Sequence, residues 1–314
     1  MELNHAQLLG FRTKFETLFN SAFELAQPQI EKIALKVDSG RVELVNHRWL
    51  RGLPGMREFT GARVHNNVST DGMIVKNKLW EDTISIDRVD MERDQFKIYA
   101  PLMSRMGETA KLHRDVLGFG LLSSMLSDTS IVAYDGIAFY GNHTANRTVS
   151  FNNKTTGVLN EINLSTGFTE LKKRRDSAGN PLAAIQKKPL LIIPPALSLT
   201  AAKLQNQSII GTTIPNSGAA TATNQAVGAE NILKGMFDIV ESPYLATSTE
   251  WHLTLVDPYF KPILWQLEQE IEFIGYEKFM AEWVNNEKFV NGVRALYNVA
   301  PGLPEMCYGS TGTV

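Results

Sequence analysis

Pro101-Leu-Met103-Ser-Arg-Met106-Gly-Glu-Thr-Ala110-Lys-Leu-His113-Arg-Asp-Val116-Leu117-Gly-Phe119-Gly-Leu121-Leu122-Ser-Ser-Met125-Leu126 is the stretch on which the architecture turns. Proline is favoured at the first helical position, and the apolar residues recur at helical spacing until Ser127-Asp128 breaks the pattern. The run predicts a helix of about 26 residues, roughly 39 Å long at 1.5 Å per residue, which is the length of a spine. On its N-terminal side, Leu79 to Val89 reads as a strand, with Ile84 and Ile86 alternating with Ser85 and Asp87. Met73-Ile-Val75 followed by Lys76-Asn77-Lys78 predicts a hairpin turning at Asn77. Such a hairpin is half apolar and marginal alone, so it calls for a partner surface.

Further out, Leu8, Phe11, Phe15, Leu18, Phe19, Ala22 and Phe23 lie at helical spacing after Asn4, a plausible N-cap, and before Pro28. From Gln29 to Val45 no long apolar pattern appears, and the segment reads as an arm. On the C-terminal side, Ile131 to Phe139 reads as a strand, and Ser165 as the cap of a helix over 166–175. Pro189 to Ile193 reads as a short buried strand leading into a helix from Pro195 to Gln207. This alternation predicts an α/β unit, with Gly211 to Gly228 as a mobile surface loop. Ile232 to Val240, Trp251 to Val256, Gln269 to Tyr276 and Phe289 to Asn298 are further strand candidates.

Composition narrows the function. Thirty-one basic residues face 33 acidic ones, a formal charge of -2, so there is no global attraction to nucleic acid or anionic lipid. The opening Met-Glu-Leu-Asn-His lacks the basic n-region of a secretory signal, and no apolar run reaches membrane-spanning length. A single cysteine, Cys307, excludes an intrachain disulfide and any multi-cysteine zinc site. Dinucleotide and phosphate loops, the serine nucleophile elbow and the His-Glu-x-x-His zinc signature are all missing. A cytoplasmic structural protein without cofactor or metal is the expectation.

Three constellations bear chemistry. Asp135 and His143 have the types and spacing for a carboxylate-oriented imidazole, as in acid/base or metal sites; the favoured reading is an Asp135-Gly136 turn with His143 holding a loop. Lys172-Lys-Arg-Arg175 suits phosphate contacts, although a solvated helix end fits better. Glu268, Glu270 and Glu272 fall on one face of a strand, where a solvated face or a salt bridge to a neighbouring subunit is preferred over a cation site. Cys307 reads as structural.

The order of arm, extended hairpin, spine helix and α/β unit matches the α+β capsid fold of the tailed phage Hong Kong ninety-seven. More specifically, four segments resemble the Mu-like phage major head subunit: Leu50-Arg-Gly-Leu-Pro54-Gly-Met-Arg-Glu-Phe59-Thr-Gly61, Asn77-Lys-Leu-Trp-Glu-Asp-Thr-Ile84-Ser-Ile-Asp87-Arg88, Asp94-Gln95-Phe-Lys-Ile-Tyr99-Ala-Pro101-Leu and Tyr134-Asp-Gly136-Ile-Ala-Phe139-Tyr-Gly-Asn-His143. The similarity continues more loosely through Leu190 to Leu197.

That resemblance implies a major capsid protein of a tailed Mu-like phage or prophage, a virion component assembled in the host bacterial cytoplasm and not an enzyme. It implies an arm over 1–48, an extended loop over 49–88, a peripheral domain with the spine over 89–129, an axial domain over 130–250, and a peripheral continuation over 251–314 whose last strand can return to the axial side. Trp49, Met56, Phe59, Met73, Ile74, Lys76, Lys78 and Trp80 would be inter-subunit contacts of the loop, and Phe11, Phe15, Phe19 and Phe23 those of the arm. Implied partners are copies of the chain in pentamers and hexamers, non-specifically packaged double-stranded DNA, a portal, a scaffold or protease, and decoration proteins. No membrane is involved. Lys76 and Lys78 sit where some relatives carry a crosslinking lysine, but the resemblance does not extend to a crosslink. The alternatives are an encapsulin-like bacterial compartment shell and, from another class, an enzyme built on Asp135 and His143.

Overall fold

A computed structural model describes residues 5–40, 42–50, 70–93, 96–144, 149–175, 181–182, 187–214 and 225–313. In chain order the elements are helix α1 (His5–Leu25), strands β1 (Ala34–Asp38), β2 (Leu44–Leu50), β3 (Thr70–Lys76) and β4 (Lys78–Asp87), and helices α2 (Arg88–Glu92) and α3 (Phe96–Ser127). Then come β5 (Asn142–His143), β6 (Phe151–Asn152), β7 (Lys154–Thr155), α4 (Glu161–Lys172), β8 (Leu190–Ile193), α5 (Ser198–Asn206), β9 (Ile209–Ile214) and β10 (Gln225–Glu230). The chain closes with β11 (Asp238–Glu241), β12 (Trp251–Thr254), β13 (Ile263–Ile274), α6 (Met280–Asn286), β14 (Lys288–Pro301) and β15 (Cys307–Ser310).

The chain divides into two units, the first drawn from 1–47, 74–118 and 264–300, the second from 48–73, 119–263 and 301–314. In the first, a four-stranded sheet of order β1-β13-β14-β4 carries α1 and most of α3. Its core gathers Leu8, Phe15 and Phe19 with Ile86, Met91, Met103, Met106, Phe289 and Val293. Phe15 meets Phe289 at 6.0 Å and Phe19 meets Phe273 at 5.3 Å between ring centroids. The two helices can approach because residue 107 is glycine: a Cβ there would lie 2.3 Å from the Phe19 carbonyl oxygen. The Asp115 carboxylate accepts from the backbone N–H groups of Gln29 and Ile30, each at 2.9 Å, and so fixes the chain just after Pro28.

The second unit holds a five-stranded sheet of order β11-β8-β12-β15-β7, in which β11 and β8 run parallel and β12 runs antiparallel to both β8 and β15. Leu191, Ile193, Trp251, Leu253 and Tyr308 from the sheet pack with Leu164, Phe168 and Leu171 of α4 and with Ala201 and Leu204 of α5. Asn160 caps α4, its side-chain oxygen accepting from Asn163 N at 2.8 Å.

Several expectations need correction. The spine begins at Phe96, and Pro101 lies inside it; Tyr99, in the first turn, donates to Asp90 at 2.5 Å and anchors that early start. Asn77 makes no turn, since β3 and β4 run on through it with a one-residue break. Its amide is buried, donating to Ser39, the Val42 carbonyl and Glu268 and accepting from Gln266 at 2.9 Å. β3 pairs instead with β2, in a two-stranded ribbon of its own. Residues 131–139 fold back as a tight loop, with a Val132–Ala138 bridge and Gly136 at φ 76°, where a non-glycine residue is strained. The helix expected over 166–175 begins at Glu161 and ends at Lys172, because Asn160 and not Ser165 is the cap. Within 211–228, the ends of the expected loop pair as the β9–β10 ribbon, whose register runs from Gln225–Ile214 to Glu230–Ile209. Gln29 to Val45 is no loose arm: Ile30 and Ile33 are buried and β1 pairs with β13. Residues 251–254, expected as part of a strand over 251–256, form β12, an inner strand of the five-stranded sheet, held there by His252, Leu253 and Thr254 pairing with β8.

Candidate functional site

The structure does bring Asp135 and His143 together, with His143 Nδ1 2.7 Å from Asp135 Oδ2. The other ring nitrogen lies 3.1 Å from the Phe139 carbonyl oxygen, and the ring stacks on Phe151 at 4.7 Å. Both nitrogens therefore face oxygen acceptors from inside a fully buried site. Neither is left for a substrate or a metal. The pair ties the 131–139 loop to β5.

The basic run is split by burial. Arg174 is 1% exposed; its guanidinium lies 4.1 Å from the Phe151 ring centroid and donates to the Asn152 carbonyl at 2.9 Å. Burial lowers its pKa to about 10. Lys172, Lys173 and Arg175 stay exposed, and Lys173 bonds Glu170 at 3.0 Å. Of the three acids on β13, Glu270 pairs with Lys36 at 2.6 Å, Glu272 lies 3.7 Å from Lys278, and Glu268 accepts from Asn77. They hold separate intrachain partners, and among the described residues no group of three or more His, Cys, Asp or Glu side chains is placed to hold a metal.

A buried polar chain escaped sequence reasoning. Tyr140 Oη lies 2.8 Å from His252 Nδ1 and 2.9 Å from Cys307 Sγ, while Ser123 donates to Glu250 at 2.7 Å. Burial pushes the Cys307 thiol and the Tyr140 hydroxyl up. The thiol and the hydroxyl therefore stay protonated, sealed inside the unit. The positions of these polar groups, from 123 to 307, carry no local signal that would have linked them.

The expected inter-subunit residues fall into three groups. Phe15 and Phe19 are 0% and 2% exposed inside the core of their own unit, so the arm reading is corrected for them; Phe11 and Phe23 pack partly buried against the same core. Met56 and Phe59, and the side chain of Trp49, lie outside the described residues. Ile74, Lys76 and Lys78 are exposed and Met73 is half-buried, with Lys76 bonding Glu43 at 3.0 Å. Trp80 is half-buried on β4, donating from Nε1 to the Tyr297 carbonyl at 2.9 Å. It forms one wall of a pocket of about 260 Å³ that His113 and Tyr297 also line.

A long spine helix and two mixed units of helices and sheets make up a fold of the phage-capsid type. The fold is similar to that in the procapsid of bacteriophage JBD30, with a TM-score of 0.57 at 20% identity, covering 99% of this chain and 77% of that one. Within that class, residues 8–158 match the family described as Mu-like prophage major head subunit gpT. The major capsid protein of Escherichia phage Mu is 31% identical over 140 residues, 45% of each chain. The Mu-like prophage FluMu major head subunit of Haemophilus influenzae is 30% identical over 170 residues, 54% of this chain and 52% of that protein. The chain thus matches about half the length of these relatives. The matched family is one of structural head proteins and not of enzymes.

Proposed function

We propose that this chain is the major capsid protein of a tailed Mu-like phage or prophage, assembling with its own copies, as pentamers and hexamers, into an icosahedral head around double-stranded DNA. The observation that carries the reading is the match of residues 8–158 to a head-subunit family, on a chain whose fold is similar to that of a phage procapsid protein. The four-stranded unit is read as the peripheral domain and the five-stranded unit as the axial domain. In this reading the β2–β3 ribbon carries the extended loop onto a neighbour.

Exposed apolar strand surface invites association, and one modest contact repeated under closed symmetry yields a cooperative shell. A net charge of -2 suits an inner wall that tolerates packed DNA without gripping it. Portal, scaffold or protease and decoration proteins would complete the particle in the bacterial cytoplasm before it becomes part of the virion. Expressed full-length chain should form capsomers or closed shells by negative-stain electron microscopy. A protein that stays monomeric at high concentration rejects the reading.

A further inference from the structure

The pocket walled by Trp80, His113 and Tyr297 is an aromatic box with acids at its mouth. His113 lies edge-on to Trp80 at 4.6 Å and its Nδ1 is 2.6 Å from the Tyr297 hydroxyl, so the walls hold one another in place. Glu81 and Asp82 are among its lining residues and are exposed; Glu81 accepts from Thr83 at 2.9 Å and stands across the strands from Arg294, the one cation lining the pocket, while Asp82 stands across from Val293 and supplies the acidic excess. Burial lowers the His113 pKa, so near neutral pH that ring adds no competing positive charge.

The other tryptophans of this unit show what such a ring takes. Trp265 has Arg114 at 4.4 Å and Lys36 at 5.0 Å from its ring, and Trp283 has Arg88 at 5.4 Å. Among the described residues, Trp80 carries no cation. An open indole face beside carboxylates is a receptor for guanidinium, which stacks on aromatic planes while donating to acids. The chain itself contains a matching ligand: residues 51–63, outside the described part, hold Arg51, Arg57 and Arg63 against one acid, Glu58.

We propose that this pocket receives an arginine side chain from residues 51–63 of a second copy, an inference that rests on the shell reading above. It makes the Trp80 pocket a charge-selective socket for assembly. The pocket's acids and the segment's arginines form complementary halves, and each copy supplies both.

Charge reversal in the full-length chain tests it. Glu81→Lys with Asp82→Lys, and separately Arg51→Glu, Arg57→Glu and Arg63→Glu together, should each abolish particles in electron micrographs. Circular dichroism should report unchanged folding for the pocket variant, because both its acids are exposed. Combining the two sets should restore particles. Wild-type shells accompanied by a pocket variant that assembles normally, or by a combination that fails to rescue, overturn this inference and leave the shell reading standing. A monomeric wild type overturns both. As a second readout, a chain with Asp82→Cys and Arg57→Cys should give disulfide-linked multimers on oxidation; linkage confined to single chains overturns the second copy as the source.

Discussion

Helix α1 and the β3–β4 strand surface carry the two residue sets that looked alike in sequence, each apolar on one side and each lacking an obvious local partner. Phe15 and Phe19 are sealed against Met103, Met106 and Phe289 of the same unit. Ile74 and Leu79, by contrast, are 61% and 56% exposed. Amphipathicity reports that a partner exists; it is silent on whether the partner belongs to the same chain. The deciding feature lies elsewhere, in Gly107, whose missing side chain lets α1 reach α3. Nothing comparable covers Ile74 among the described residues.

The largest test strikes the sealed side. Phe15→Ala should cost about 3–5 kcal/mol, the usual range for emptying a buried phenylalanine site, and Gly107→Ala should also destabilise by forcing the helices apart. Chemical denaturation of the unassembled chain reads both. If Phe15→Ala left the midpoint unchanged while assembly failed, α1 would be an arm on a neighbour after all. Next in size is His143→Ala, another group satisfied inside its own chain. It removes the His143 contacts to Asp135 and the Phe139 carbonyl, the latter still accepting from Asn153 at 2.8 Å, at about 1–3 kcal/mol. A variant as stable as the wild type would show that the pair is not structural and reopen a chemical role.

What was readable in the sequence follows the same line. The spine, the buried strand Leu190 to Ile193 and the long C-terminal strands were legible because periodicity and β-branched runs act locally. Motifs from Leu50 to His143 were legible as resemblance. Asn77 was misread because an asparagine between polar lysines is a turn signal, whereas here long-range bonds to Ser39, Glu268 and Gln266 spend its amide in the sheet. The Tyr140–His252–Cys307 chain and the Trp80 pocket were invisible for the same reason: their members meet only after the sheets form. Asp135 and His143 lay close enough in sequence to be paired, yet only the Phe139 carbonyl on the far nitrogen decides between catalysis and structure.

Asn77 also supplies the intermediate test, since it stands where the sealed sheet passes into the ribbon. Asn77→Ala should cost about 1–2 kcal/mol by removing one hydrogen bond each from Gln266, Ser39 and Glu268, and it should loosen the exit of β3 from the sheet. Hydrogen exchange would localise that loosening to β3 and the start of β4. Uniform exchange across the unit would instead place the amide in general stability, without a hinge role.

The smallest expected effect on the isolated chain is the sharpest for the comparison. Ile74→Ser removes an exposed side chain, so the denaturation midpoint should correspond to a change within about 0.5 kcal/mol. The same substitution repeats at every copy of a shell, where even a small loss of buried area per contact is multiplied by closed symmetry. Critical concentration for assembly should therefore rise while monomer stability holds. If both stayed constant, Ile74 would be an exposed residue of no consequence, and the open side of the comparison would shrink to β4 and its pocket. Should stability fall instead, Ile74 would be covered within its own chain, and the distinction between the two surfaces would fail at its clearest residue.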